Sequence, residues 1–160
     1  MCIRDSTVAI HSASHDYAKI YQSVDTYFAD FDEMNSIITA QTGKAADLVR
    51  FPGGSSNTIS KKYCYGIMSQ LVCAVEERGF RYCDWNVSSG DAGGTTSTSQ
   101  VVANVIEGIK SNNVSVVLQH DIKNFSVDAV EQIIQWGLSE GYTFLPMTST
   151  TPMSHHGVNN

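Results

Sequence analysis

The sequence predicts an α/β fold, and three observations carry that prediction. Short β-branched runs alternate with longer stretches whose apolar residues recur every three or four positions. Turn-forming residues fall between them. The polar residues with chemical promise stand just after the β-branched runs, where parallel α/β folds gather their active groups.

The elements follow in order. Residues 7–10 (T-V-A-I) read as a buried strand opening into a loop at His11. Over residues 19–41, Ile20, Val24, Phe28, Phe31, Met34 and Ile38 mark one helical face, and Gly43 supplies the stop. Residues 48–51 form the next strand. Beyond a P-G-G-S-S-N loop, Ile67, Met68, Leu71, Val72 and Val75 make a second stripe, which stops at Gly79. Residues 80–87 read as a strand, and a Ser/Gly/Thr-rich loop over 88–98 leads to a helix bearing Val101, Val102, Val105, Ile106 and Ile109. Residues 114–119 are a strand again. Ser126 is the expected N-cap, with Asp128 in the first turn, of a helix carrying Val130, Ile133, Ile134 and Leu138. Residues 142–145 make the last strand. This β-α-β-α-β-α-β-α-β order implies parallel strands joined by right-handed crossovers, in an open sheet or a barrel.

Composition narrows the function. A chain of 160 residues is one domain long, and 42% hydrophobic with 16% charged residues is a globular balance. A net charge of -6 and a pI near 5.2 argue against a partner held through its phosphate backbone, so no nucleic acid is expected. No stretch approaches the roughly 20 apolar residues that cross a bilayer, and no apolar segment follows Met1 as a signal peptide would require. Cys2, Cys64, Cys73 and Cys83 show no C-x-x-C spacing and read as free, buried thiols. Residues 1–6 lack periodicity and read as a non-native start, residues 7–147 as the domain. Residues 148–160 read as a loose polar tail, in which His155 and His156 are not expected to be ligands.

Four strand ends carry the chemistry. In H-S-A-S-H, His11 and His15 can turn two imidazoles to one ion if the intervening residues form a helical turn, and neutral imidazole suits zinc; a third ligand would have to come from elsewhere. Taken alone, the pair is a weak signal that fits surface or capping histidines better, and its position after a strand strengthens the metal reading. Arg50 precedes a tight Pro52-Gly53-Gly54 turn whose backbone can approach a ligand closely, or which simply closes a loop. Asp84, Trp85 and Asp91 put two carboxylates and an aromatic at the third strand end, as a sugar groove needs, although Trp85 suits a core as well. His120, after Val116-Val117-Leu118, suits a titrating acid or base held at a rim, although a lone histidine after a strand is more often structural.

In order, H-S-A-S-H, R-F-P-G-G, D-W-N-V-S-S-G-D and L-Q-H resemble the second to fifth motifs of the polysaccharide deacetylase family, the NodB-homology or carbohydrate esterase 4 domain. The resemblance implies a distorted (β/α) barrel of the NodB-homology type, here missing its first strand or strands. It implies that His11 and His15 bind zinc or a related divalent ion, that Arg50 orients the catalytic base, and that the backbone near Gly53 helps hold the oxyanion. Asp91 would tune His120, the general acid, and Leu118 would line the pocket for the acetyl methyl. Asp84 and Trp85 would contact the sugar.

The implied reaction is metal-dependent removal of N-acetyl groups from an N-acetylglucosamine polysaccharide such as peptidoglycan, outside the membrane. Two departures stand out. The family's first motif, T-F-D-D-G, which supplies the base and the acidic metal ligand, is not in these 160 residues, and Ala92 replaces the aromatic that usually follows Asp91. The chain alone is therefore expected to be weakly active or inactive. A degenerate barrel that binds glycan or metal without turnover, and another metal-dependent amidohydrolase, remain as alternative readings.

Overall fold

The computed structural model describes residues 6–160, so Cys2 and all of the expected non-native start except Ser6 lie outside it. The fold is α/β, and the chain divides into two compact units: residues 6–84 with Pro146–Asn160, and Trp85–Leu145.

The first unit opens with α1 (Tyr17–Ile20) and α2 (Val24–Thr42). The continuous helix expected over 19–41 is broken because Ser23 is extended and caps α2. Its side chain accepts from the Thr26 amide, and Thr26 reciprocates to the Ser23 amide. Gly43 ends α2 in the left-handed conformation, as its position predicts. Next come β1 (Leu48–Val49), a 3-10 turn over Ser60–Lys62, α3 (Ile67–Glu77) and β2 (Arg81–Tyr82). Gly79, at φ 83, stops α3, and the Phe80 amide reaches back to the Val75 carbonyl. β1 and β2 are parallel, with Leu48 opposite Arg81 and Val49 opposite Tyr82. Of the strand expected over 7–10, only Ile10 pairs, as a parallel bridge to Val49. A β-branched run becomes a strand only where its backbone finds a partner, and Val8 remains 40% exposed. Ile10, Tyr21, Phe31, Val49, Phe51, Ile67, Met68, Leu71 and Val75 form the core between helices and strands.

The tail is not loose. The Asp84 amide donates to the Ser154 carbonyl, and the His155 ring stacks on Tyr82 with centroids 4.0 Å apart. Asn160 is buried: its side chain accepts from the Gly66 amide and donates to the Ser60 hydroxyl, at the start of α3. Polarity misled the sequence reading here, because these polar groups satisfy donors and acceptors of the folded unit rather than water. Cys73 corrects another expectation. It is exposed, while Cys64 is half-buried and Cys83 buried; all three are free thiols.

The second unit comprises β3 (Val87–Ser88), α4 (Thr98–Lys110), β4 (Val117–Leu118) and α5 (Asn124–Ser139). β3 and β4 are parallel, Val87 opposite Val117. The single strand expected over 80–87 is thus two, one in each unit. Val101, Val105 and Ile109 of α4 pack on Ala129 and Ile133 of α5. The strand expected over 142–145 does not form. Tyr142 packs on Trp136, and the Phe144 ring lies over Gly137 of α5, leaving Leu145 79% exposed. A short apolar run does not distinguish a strand from a loop folded back on a helix.

Gly108 is where α4 meets β3. A Cβ there would lie 2.4 Å from Val87 Cγ1. Alanine normally gains about 1 kcal/mol over glycine inside a helix. Here the clash reverses the sign, and Gly108→Ala is expected to cost about 1–3 kcal/mol. The measurement is the denaturant midpoint; a midpoint at or above that of the wild type would show that Val87 yields freely.

Candidate active site

The candidate residues fall in both units. In the first, His11 follows the Ile10 bridge, and its Nδ1 stands 2.7 Å from the Arg50 carbonyl oxygen. A carbonyl only accepts, so Nδ1 carries the proton and the neutral ring's lone pair sits on Nε2, the arrangement common in metal-ligating histidines. The His15 ring centroid lies 5.0 Å from that of His11. The segment between them is a bent loop, not a helical turn, with His15 at φ 52.

A residue that the sequence reading missed anchors this loop. Asp30, buried on α2, accepts from the Ser12 hydroxyl and from the Ala13 and Ser14 amides. Burial would raise its carboxyl pKa, but the Ser12 and Ser14 hydroxyls and these amides outweigh that and hold it below the usual range. The available signal was a carboxylate on the inward arc of α2, between Tyr27 and Phe31.

Arg50 follows β1 and donates from Nε to the Cys83 carbonyl at 3.1 Å and from Nη2 to that of Asp84 at 3.3 Å, tying it to the residues just after β2. Gly53 and Gly54 both stand at φ 78, a conformation that side chains resist. A Cβ at Gly53 would lie 2.8 Å from the Tyr17 hydroxyl, so that space is already occupied. Tyr21 donates to the Pro52 carbonyl at 2.6 Å, fixing the turn from beneath.

Asp84 corrects the expectation of a sugar contact. It is 0% exposed, and its carboxylate accepts from the Ser55 amide and hydroxyl and from the His156 amide. It clamps the glycine turn and the C-terminal tail from inside, with no face left for a ligand. His156 also bonds Ser56, with Nδ1 and Oγ 3.0 Å apart. Among the described residues no cluster of three or more His, Cys, Asp or Glu is arranged to hold a metal; His11 and His15 are two nitrogen donors of suitable chemistry.

In the second unit Asp91 follows β3 and His120 follows β4, and the parallel pairing brings these ends together. Asp91 is 1% exposed. Its Oδ1 lies 2.9 Å from His120 Nδ1, and its Oδ2 accepts from the His120 amide at 2.7 Å and the Ser126 hydroxyl at 2.6 Å. Burial pushes the carboxyl up, but the Ser126 hydroxyl and the His120 amide and ring outweigh it and bring it to about 2. Asp91 is therefore an anion near neutral pH, and His120 Nδ1 must be the donor. Lys123 adds its ammonium to the Asp91 carbonyl.

Ser126 is not the N-cap of α5. The helix starts at Asn124 after Lys123, Asp128 lies beyond its first turn, and the fully buried Ser126 hydroxyl is turned to Asp91. Sequence alone cannot separate a capping serine from one that serves a distant carboxylate, since both stand at a helix start. Trp85 and Leu118 are both half-buried, Leu118 within β4.

Parallel strand pairs with imidazoles at their ends, one imidazole fixed by a buried carboxylate, define an α/β protein equipped for acid–base chemistry, with a histidine pair suited to a metal. No family profile matches the chain. It is 68% identical, with a TM-score of 0.95, to the crystallised catalytic domain of a peptidoglycan N-acetylglucosamine deacetylase from Eubacterium rectale, over 96% of this chain and 70% of that one. A polysaccharide deacetylase from Bacillus cereus is 28% identical at a TM-score of 0.77, over 94% of this chain and 71% of that one. A peptidoglycan-N-acetylglucosamine deacetylase of Bacillus cereus is 30% identical over 142 residues, which are 86% of this chain and 48% of the relative. The chain belongs to the polysaccharide deacetylases of carbohydrate esterase family 4. It spans about half the length of the curated relatives it matches.

Proposed function

We propose that the protein hydrolyses N-acetyl groups of N-acetylglucosamine residues in a polysaccharide, with peptidoglycan the favoured substrate, releasing acetate and leaving a free amine on the sugar. The observation that carries this reading is the Asp91–His120 pair: a buried anion that keeps Nδ1 of an accessible imidazole protonated. The imidazolium then has its other proton on Nε2, available to a departing amine. His120 is the general acid, and Asp91 orients its ring through Nδ1. The Gly53 backbone is assigned to the developing oxyanion, Arg50 to orienting the base, Leu118 to the acetyl methyl and Trp85 to the sugar face.

His11 and His15 would hold a divalent ion, most suitably zinc. When bound, it would supply Lewis acidity to the scissile carbonyl and to the attacking water. The carboxylate base and the acidic ligand are assigned to a first strand of a distorted NodB-type barrel that is not among these residues. The 160-residue chain alone is thus expected to be weakly active or inactive, and the whole protein to act at the cell surface or outside it, where the polymer lies.

Acetate release from acetylated chitooligosaccharides or peptidoglycan by the whole protein tests the activity; no release from either would sink it. For the metal, the purified chain is expected to take up zinc loosely and His11→Ala to abolish uptake. Unchanged metal content in that variant would remove both histidines from the assignment.

A further inference from the structure

The histidine-bearing loop is built around a carboxylate that the proposed chemistry does not use. Asp30, on α2, is 3% exposed. Its Oδ2 accepts from Ser12 Oγ at 2.5 Å and from the Ala13 amide at 2.9 Å, and its Oδ1 from the Ser14 amide at 2.8 Å. The Ser12 hydroxyl, held by Asp30, accepts in turn from the His15 amide at 2.8 Å. Residues 12, 13 and 14 are thus tied to this side chain directly, and residue 15 at one remove.

The anchoring matters because the loop does not fix itself. In a regular helix, residues four apart share a face without outside help. Here helix begins only at Tyr17, and His15 stands at φ 52 in the left-handed region, which is strained for a residue with a side chain. That bend accompanies the 5.0 Å approach of the two rings. Three hydrogen bonds to one buried carboxylate, and a fourth from the His15 amide to the Ser12 hydroxyl that it holds, offset the strain. An ionised carboxylate is the group that can accept all three of its bonds, since it carries two oxygens and no competing donor.

We infer that Asp30 is the positioning residue of the His11–His15 pair, holding residues 12–15 in the bend that turns both imidazoles toward one divalent ion. The inference rests on the proposed metal site but assigns a residue outside it. Asp30→Asn keeps the size while placing an NH2 group against one set of donors. It should loosen the loop without emptying the core.

The test compares wild type, Asp30→Asn and His11→Ala as the 160-residue chain. Zinc affinity is read by competition with a chromophoric chelator, and amide hydrogen exchange is followed without metal. Asp30→Asn is expected to weaken zinc binding roughly 10- to 100-fold and to accelerate exchange at Ala13 and Ser14, while α3 stays protected. His11→Ala is expected to abolish zinc binding and leave those amides protected. Wild-type zinc affinity in Asp30→Asn would overturn the inference, as would unchanged exchange at Ala13 and Ser14. If the wild type binds zinc no better than His11→Ala, the metal reading falls and takes the ion with it; amide exchange then judges the loop anchor alone.

Discussion

His120→Ala in the whole protein is expected to reduce kcat roughly 10²- to 10⁴-fold, the usual contribution of a positioned general acid, while the protein keeps its fold and its metal. The His120 side chain is 38% exposed, so removing it opens no large cavity. The backbone bond from residue 120 to Asp91 Oδ2 and the Ser126 hydroxyl both remain, so the loop stays anchored. Steady-state acetate release, with metal content measured on the same samples, checks this. Wild-type rates would refute the acid role, and lost metal would point to a ligand role instead.

Asp91→Ala is expected to have a large effect of a different kind, because it combines lost turnover with lost stability. It removes the acceptor of three donors: the Ser126 hydroxyl, the His120 amide and the His120 ring. Leaving buried donors unsatisfied costs about 1–3 kcal/mol each at most, so a total of about 2–4 kcal/mol is expected, read from chemical denaturation at pH 7. The pH dependence gives an independent check. The folded carboxyl titrates at about 2, below its unfolded value. Its stabilisation is therefore fully present above about pH 4 and is lost as pH falls toward 2. Across that window the wild type should lose roughly 2 kcal/mol that Asp91→Asn, which cannot titrate there, does not lose. Equal acid sensitivity in the two proteins would contradict the assignment of the low pKa to Asp91.

Much of the helical structure was legible because its signals are local. The stripe Val101, Val105 and Ile109 buries as its spacing predicts, and Gly43 and Gly79 stop helices at positive φ. Strands were harder. Phe144 and Tyr142 satisfy the strand pattern yet pack on α5, because strand formation depends on a backbone partner that the run itself does not contain. The polar tail was misjudged for a related reason. His155, His156 and Asn160 hydrogen bond with or stack on residues of the first unit roughly 70 to 100 positions earlier in the chain.

By itself the sequence determined the alternation of helices and strands, the order of the motifs and the placement of His11, Arg50, Asp91 and His120 just beyond short apolar runs, since periodicity and turn chemistry act over a few residues. Tertiary structure alone decided which carboxylates are spent and which are poised. Asp84 and Asp30 lie inside, saturated by amides and hydroxyls, while Asp91 keeps one oxygen for an imidazole 29 residues away. Nothing local distinguishes these three aspartates. Their roles depend on which donors the fold brings to each buried oxygen, and those donors come from distant parts of the chain.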